Sequence, residues 1–182
     1  MKISKLIQSL EKSKTFKEFQ KTKEGKESSL CAAFIIFNLK QDSFENSLDF
    51  RNEKDIFTFK IPSDKKEEII MSKEEIMPSR KQLEEIPNDK LEKLKVEPEN
   101  LQEIIEKQLK EKKIIGNLEE IIAVLQSNES KELIWNLTCI VSGFVILSVQ
   151  IDALSGNLIK FDKKNLLDFV SVKKPGEKLD SK

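Results

Sequence analysis

The chain has 182 residues, 38% hydrophobic and 35% charged, with 11 Phe, two Cys and neither His nor Tyr. That length suits one domain or two small ones, and the apolar content excludes global disorder. Lys plus Arg and Asp plus Glu both number 32, so the formal net charge is zero and the overall basic excess expected of a nucleic-acid binder is missing.

In residues 2–22, Ile3, Leu6, Ile7 and Leu10 recur at helical spacing, which predicts a helix. Phe16 and Phe19 fall on another side of the same ideal helix, so a break is expected near Ser13. Thr15 to Glu18 fits a capping box, with Thr15 as N-cap and Glu18 reaching back. Gly25 is expected to end the helical stretch. "LCAAFIIFNLK" (residues 30–40) reads as a strand from its β-branched and aromatic content. "SLDFRN" and "DIFTFKIP" follow as strands around an "RNEK" turn, and Phe57, Phe59 and Ile61 alternate with Ile56, Thr58 and Lys60. Pro62 closes this run. "KKEEIIMSKEEIM" fits either a strand or a helical turn. The next segment carries Pro78 and Pro87 and reads as a solvated, partly ordered connection.

Residues 98–113 predict a helix. Pro98 suits its first position, Leu101, Ile104, Ile105 and Leu109 form its stripe, and Glu103–Lys107 and Glu106–Lys110 are favourable pairs. Gly116-Asn117 stops it. Three strand-like runs follow: "LEEIIAVLQS", "KELIWNLTCIV" and "FVILSVQID". Ser142-Gly143 between the last two is a hairpin signal. In "QIDALSGNLIKF", Asp152 can accept backbone N–H groups as an Asx turn does, and Gly156 supplies a positive φ. "NLIKF" returns as a strand, "DKKNLLDFV" reads as one or two helical turns, and "KKPGEKLDSK" as a mobile polar tail.

These elements predict an α+β fold: an antiparallel β-sheet packed on one face by helices. Element order alone suggests a duplicated α-β-β-β unit. The expected organisation is residues 1–77 (helix plus antiparallel strands), 78–97 (connection), 98–170 (helix plus antiparallel strands) and 171–182 (tail). Cys31 and Cys139 lie in apolar runs and read as buried thiols, and a disulfide between them would need an oxidising compartment. The N-terminal "MKISKLIQSLEKSK" has no continuous apolar core of a signal peptide. The longest apolar run, 137–149, is too short for a bilayer helix and is split at Ser142-Gly143. A soluble, cytoplasmic protein is expected.

Without His, the Ser-His-Asp and Cys-His arrangements are impossible within the chain. The sequence has no P-loop, no G-x-G-x-x-G, no metal-type Cys cluster and no calcium loop. Neither cofactor nor metal is expected. The carboxylate pairs Glu74-Glu75, Glu84-Glu85 and Glu119-Glu120 read as solvated faces. The N-terminal helix is basic: Lys5, Lys12, Lys14, Lys17 and Lys21 form a candidate contact surface for an anionic membrane or for phosphates. The favoured reading is that its apolar stripe covers the sheet while the lysines stay in water. Few aromatics interleave with those lysines, which weighs against single-stranded nucleic acid.

Residues 97–161 resemble the PepSY domain family. The family pattern is a helix, a Trp-containing strand run, and an Asp-Ala-x-Thr-Gly turn before a final apolar pair. Here Trp135 in "LIWNL", Asp152-Ala153 and Ser155-Gly156 in "IDALSG", and Leu158-Ile159 match it, with Ser155 where Thr is usual. The resemblance implies a non-catalytic binding or inhibitory module. The expected partner is another protein, docked on the concave sheet face or added as a strand at an open edge. Trp135, Asp152 and Gly156 are expected to be structural: a core aromatic and the corners of a turn. The alternatives are a peripheral membrane or nucleic-acid contact through the basic helix and, third, a carboxylate-based enzyme.

Overall fold

Alternation along the strand-like runs resolves into one sheet. The computed structural model describes residues 2–64, 67–76 and 83–165. Its strands are β1 (Ser29–Asn38), β2 (Ser43–Arg51), β3 (Asp55–Ile61), β4 (Ile70–Glu75), β5 (Leu118–Ser127), β6 (Leu133–Val141), β7 (Val145–Asp152) and β8 (Leu158–Asn165). They form an eight-stranded sheet in the order β4-β3-β2-β1-β5-β6-β7-β8. Every neighbouring pair is antiparallel. β1 and β5 meet in the middle with Ile35 opposite Ala123. Two meanders therefore run outward from that pair and leave β4 and β8 as edges.

Each meander closes with a fourth strand: the first comes from a segment that fits either strand or helix, and the second extends the expected "NLIKF" strand. "KKEEIIMSKEEIM" contributes β4, whose six residues are all exposed. An edge strand wet on both faces needs no apolar alternation, so its sequence carries little period-two signal. Similarly, Asp162–Asn165, expected to begin a helical turn, complete β8, with Asn165 opposite Val145. β7 supplies backbone partners along this polar stretch, and that decides for strand. Leu166 onward, including the expected tail, lies outside the described residues.

The helices are α1 (Ile3–Lys12), α2 (Lys14–Phe19), α3 (Lys23–Glu27), α4 (Asn88–Leu91) and α5 (Pro98–Glu111). The break at Ser13 is real, since Ser13 is extended at φ −68°, ψ 151°. The cap differs from expectation: Ser13 Oγ accepts the Phe16 N–H at 3.1 Å, while Thr15 donates to the Ile69 carbonyl. Gly25 does not end a helix but lies within α3, where a Cβ would stand 2.0 Å from the Phe19 carbonyl oxygen. Close approach, not a positive φ, explains this glycine. Along α5, Lys107 reaches Glu111 at 3.8 Å, and Gln102 donates to Glu106 at 2.8 Å. These replace the expected Glu103–Lys107 and Glu106–Lys110 pairs, a minor change for exposed pairs.

The helices cover one face. Ile3, Leu6 and Leu10 of α1, Phe16 and Phe19 of α2, and Leu101, Ile105 and Leu109 of α5 join one buried cluster with the inner residues of β1–β3 and β5–β7. Phe16 lies 5.0 Å from Phe50 and 5.3 Å from Phe59, and Phe19 lies 4.7 Å from Phe57, ring centre to ring centre. Offset and edge contacts of this kind add to simple area burial. The described part of the connection packs closely: Ile86 and Val96 are buried, and the Ile86 N–H donates to the Leu30 carbonyl at 2.8 Å.

Candidate functional site: motif residues and the outer sheet face

Trp135 points to the helix side of β6, between Leu125 on β5 and Ile151 on β7. It is fully buried, and its Nε1–H donates to the Val96 carbonyl at 2.8 Å. Asp152 caps the β7–β8 turn: its Oδ1 accepts the Leu154 N–H at 3.0 Å and the Ser155 N–H at 2.6 Å. Partial burial pushes its carboxyl up, but the hydrogen bonds from Ser155 and Leu154 outweigh that and hold it below the usual range. Gly156 closes the turn at φ +83°, with room for a Cβ 3.5 Å from Val96. Ala153 is buried, and its carbonyl accepts the N–H groups of Lys95 and Val96, both at 3.1 Å. The matched residues thus surround one strap, Lys95–Glu97, that leads into α5.

Glu97, whose partner lies 94 residues away in the chain, ends that strap. Its Oε2 accepts the Ile3 N–H at 3.0 Å, and its own N–H donates to Asn100 Oδ1 at 3.0 Å. One carboxylate therefore serves the open N-terminus of α1 from the start of α5, where negative charge suits both dipoles.

The outer face of the sheet is different. Phe34 and Ile36 on β1 stand opposite Val124 and Ile122 on β5. All four are half-buried. Farther along, Asn136 pairs with Gln150, whose amide donates at 2.8 Å, and Ile140 stands opposite Ile146. The buried residues of the described helices belong to the inner cluster, so these helices leave this face open. A groove of about 620 Å³ adjoins Phe34 and Ile36, with Phe44 and Ile70 as apolar walls and Glu45, Lys60, Glu67 and Glu68 around it. The run "AAFIIF" carried the signal: its apolar residues occupy both parities, which makes a strand apolar on both faces.

Asp49 also points outward, opposite Thr58. Burial raises its carboxyl, a hydrogen bond from Thr58 opposes the rise, and nearby Glu74 adds to it. Among the described residues its Oδ1 has no hydrogen-bond partner. Cys31 and Cys139 are free and buried, and burial pushes both thiols up to about 12. At that value neither is a thiolate nucleophile near neutral pH.

Lys5, Lys12, Lys14, Lys17 and Lys21 are all exposed, but the bend at Ser13 divides them between α1 and the α2 region. Lys14 lies 3.9 Å from Glu18. The carboxylate pairs do not converge: Glu74 and Glu75 are successive strand residues on opposite faces, and Glu119 meets Lys40 at 2.8 Å. Among the described residues no group of three His, Cys, Asp or Glu could hold a metal ion. No described helix is long and apolar enough to cross a membrane.

No family model matches the sequence, and no curated protein matches it. Among solved structures, a crystal structure described as a "putative lipoprotein" from Clostridium difficile 630 is similar at a TM-score of 0.52. It is 14% identical, and the match covers 76% of this chain and 84% of that one. At this identity the likeness is one of fold.

Proposed function

We propose that this protein is a non-catalytic binding or inhibitory module of PepSY-like type, and that another protein docks on the outer face of its sheet. The observation that carries the reading is the half-buried apolar row Phe34, Ile36, Ile122 and Val124, left open by the described helices. Covering such a row is favourable by roughly 25 cal/mol per Å² of apolar surface removed from water. The Asn136–Gln150 amide pair beside it offers directional hydrogen bonds, which give orientation more than affinity. The motif residues serve this reading indirectly, by fixing the strap and α5 that hold the sheet from behind.

Affinity capture from the native cell, run in parallel on the wild type and on Ile36→Glu and Ile122→Glu, tests the proposal. Both positions face outward, so a charge there leaves the inner core intact. A partner retained at high salt by the wild type and lost by both variants is the expected result. Equal recovery by all three would overturn the reading. Cell fractionation beside the capture tests the cytoplasmic location expected from the sequence.

The second reading is an electrostatic contact with anionic membrane or nucleic acid through Lys5 and Lys12. They are seven residues apart, two helical turns, and both are exposed. Because Ile3, Leu6 and Leu10 are buried in the core, this contact has only the lysines to work with. Salt-sensitive binding to anionic vesicles or oligonucleotides, lost in a Lys5→Glu, Lys12→Glu variant, would favour it.

A further inference from the structure

The two edges of the sheet are not equivalent. On β4 the central cation is engaged within its own sheet: Lys73 reaches Asp55 at 2.9 Å and sits 5.5 Å from the centre of the Phe57 ring. β8 is longer, at eight residues, and opens with Leu158 and Ile159, which are 39% and 51% exposed. The next residues, Lys160-Phe161-Asp162, set opposite charges on either side of one aromatic residue, and Lys163, Lys164 and Asn165 complete the strand. An open strand edge is a template for pairing, and natural proteins blunt it with Lys or make specific use of it.

We infer that the β8 edge docks on the β8 edge of a second copy of this chain, antiparallel and centred on Phe161. In an antiparallel pair related by a two-fold axis, the central residue faces itself and its neighbours exchange. Centring on Phe161 places Lys160 opposite the second copy's Asp162, and Asp162 opposite its Lys160. Both side chains lie on the outer face, where Lys160 pairs with Gln150 and Asp162 with Ser148 on β7. Within one chain they already lie 2.8 Å apart at 55% and 46% exposure, so two exposed ion pairs would become a four-charge group. Lys163 and Lys164 then approach the Leu158-Ile159 end of the second copy, where a bulge interrupts the regular register (Lys160 opposite Gln150, Leu158 opposite Ile151), and their aliphatic stems can cover that apolar surface.

Neighbouring registers are worse. Centring on Lys160 faces it with Lys160. Centring on Asp162 faces two carboxylates and sets Lys160 against Lys164, and centring on Lys163 faces two lysines. Like charges directly opposite on paired strands are destabilising. Of these registers, charge favours the one centred on Phe161. One eight-residue edge buries less than the roughly 1,200–2,000 Å² of a standard stable interface, so the association is weak and reversible. It does not depend on the outer-face reading: it uses an edge, not the face.

Sedimentation equilibrium of the 182-residue chain over a concentration series tests the inference. The wild type is expected to pass reversibly from monomer to dimer. Lys160→Asp and Asp162→Lys should each weaken the dimer about tenfold, because two attractive pairs become two repulsive ones. Mixing the two single variants restores opposite charges at both pairs and should restore association, as should the double exchange. Circular dichroism on every variant checks that the fold is kept. A monomeric wild type at all accessible concentrations would overturn the inference, and so would a dimer that both single variants retain or a mixture that fails to recover.

Discussion

Trp135 and Val96 are both buried, and a 2.8 Å hydrogen bond joins the indole N–H to the Val96 carbonyl. Trp135→Phe keeps most of the apolar volume but leaves that carbonyl without its donor. The expected cost is about 1–3 kcal/mol, read from urea unfolding. Asp152 adds a pH dependence. Its carboxyl titrates below the ordinary range when folded, so its stabilisation is complete above the unfolded value, about pH 4, and is lost as pH falls through the folded value. Asp152→Asn keeps an acceptor for Leu154 and Ser155 but cannot titrate there. The variant should therefore lose less stability than the wild type on acidification, as unfolding curves between neutral and acid pH would show. Both roles were legible in part: an Asx turn at Asp152 follows from spacing, whereas the partner of Trp135 lies 39 residues away and has no local mark.

Among the elements, the start of the chain shows where local rules compete. Ser13 and Thr15 are both chemically able to cap α2, and only the packing of Phe16 and Phe19 onto β2 and β3 sets which one does so. Gly25 is the sharper case. Gly25→Ala would push a Cβ against the Phe19 carbonyl and should cost roughly 1–3 kcal/mol through the backbone shift it forces. A melting temperature well below wild type, with unchanged strand signal, is the expected reading. Glu97→Ala removes the acceptor for the Ile3 N–H and should cost about 1 kcal/mol, while Glu97→Gln recovers much of it. A comparison of the three proteins in urea separates the cap from general packing.

For the whole molecule, the central β1–β5 pair and the single buried cluster matter most. Inner residues from strands on both sides of that pair share one core with α1, α2 and α5. Opening either meander exposes the other's apolar face, so one cooperative unfolding transition is expected by calorimetry. Amide exchange should be slowest in β1 and β5, which are flanked on both sides. It should be fastest in β4 and β8, where one row of backbone groups has no neighbouring strand among the described residues. Exchange as fast in β5 as in β8 would mean the sheet opens at its middle.

Local sequence pattern suffices for the α+β class, the antiparallel run from Leu118 to Asp152, the turn at Asp152–Gly156 and the burial of both cysteines. These follow from short-range pattern: period two, helical spacing, turn chemistry and apolar runs. Tertiary structure decided the joining of the two meanders through β1 and β5, the strand state of the polar edges, the strap held by Trp135 and Ala153, and the outer apolar row. Each of these rests on partners far apart in the chain. Backbone hydrogen bonds from a neighbouring strand can override weak local preference, and a face becomes open or covered only when the helices choose a side.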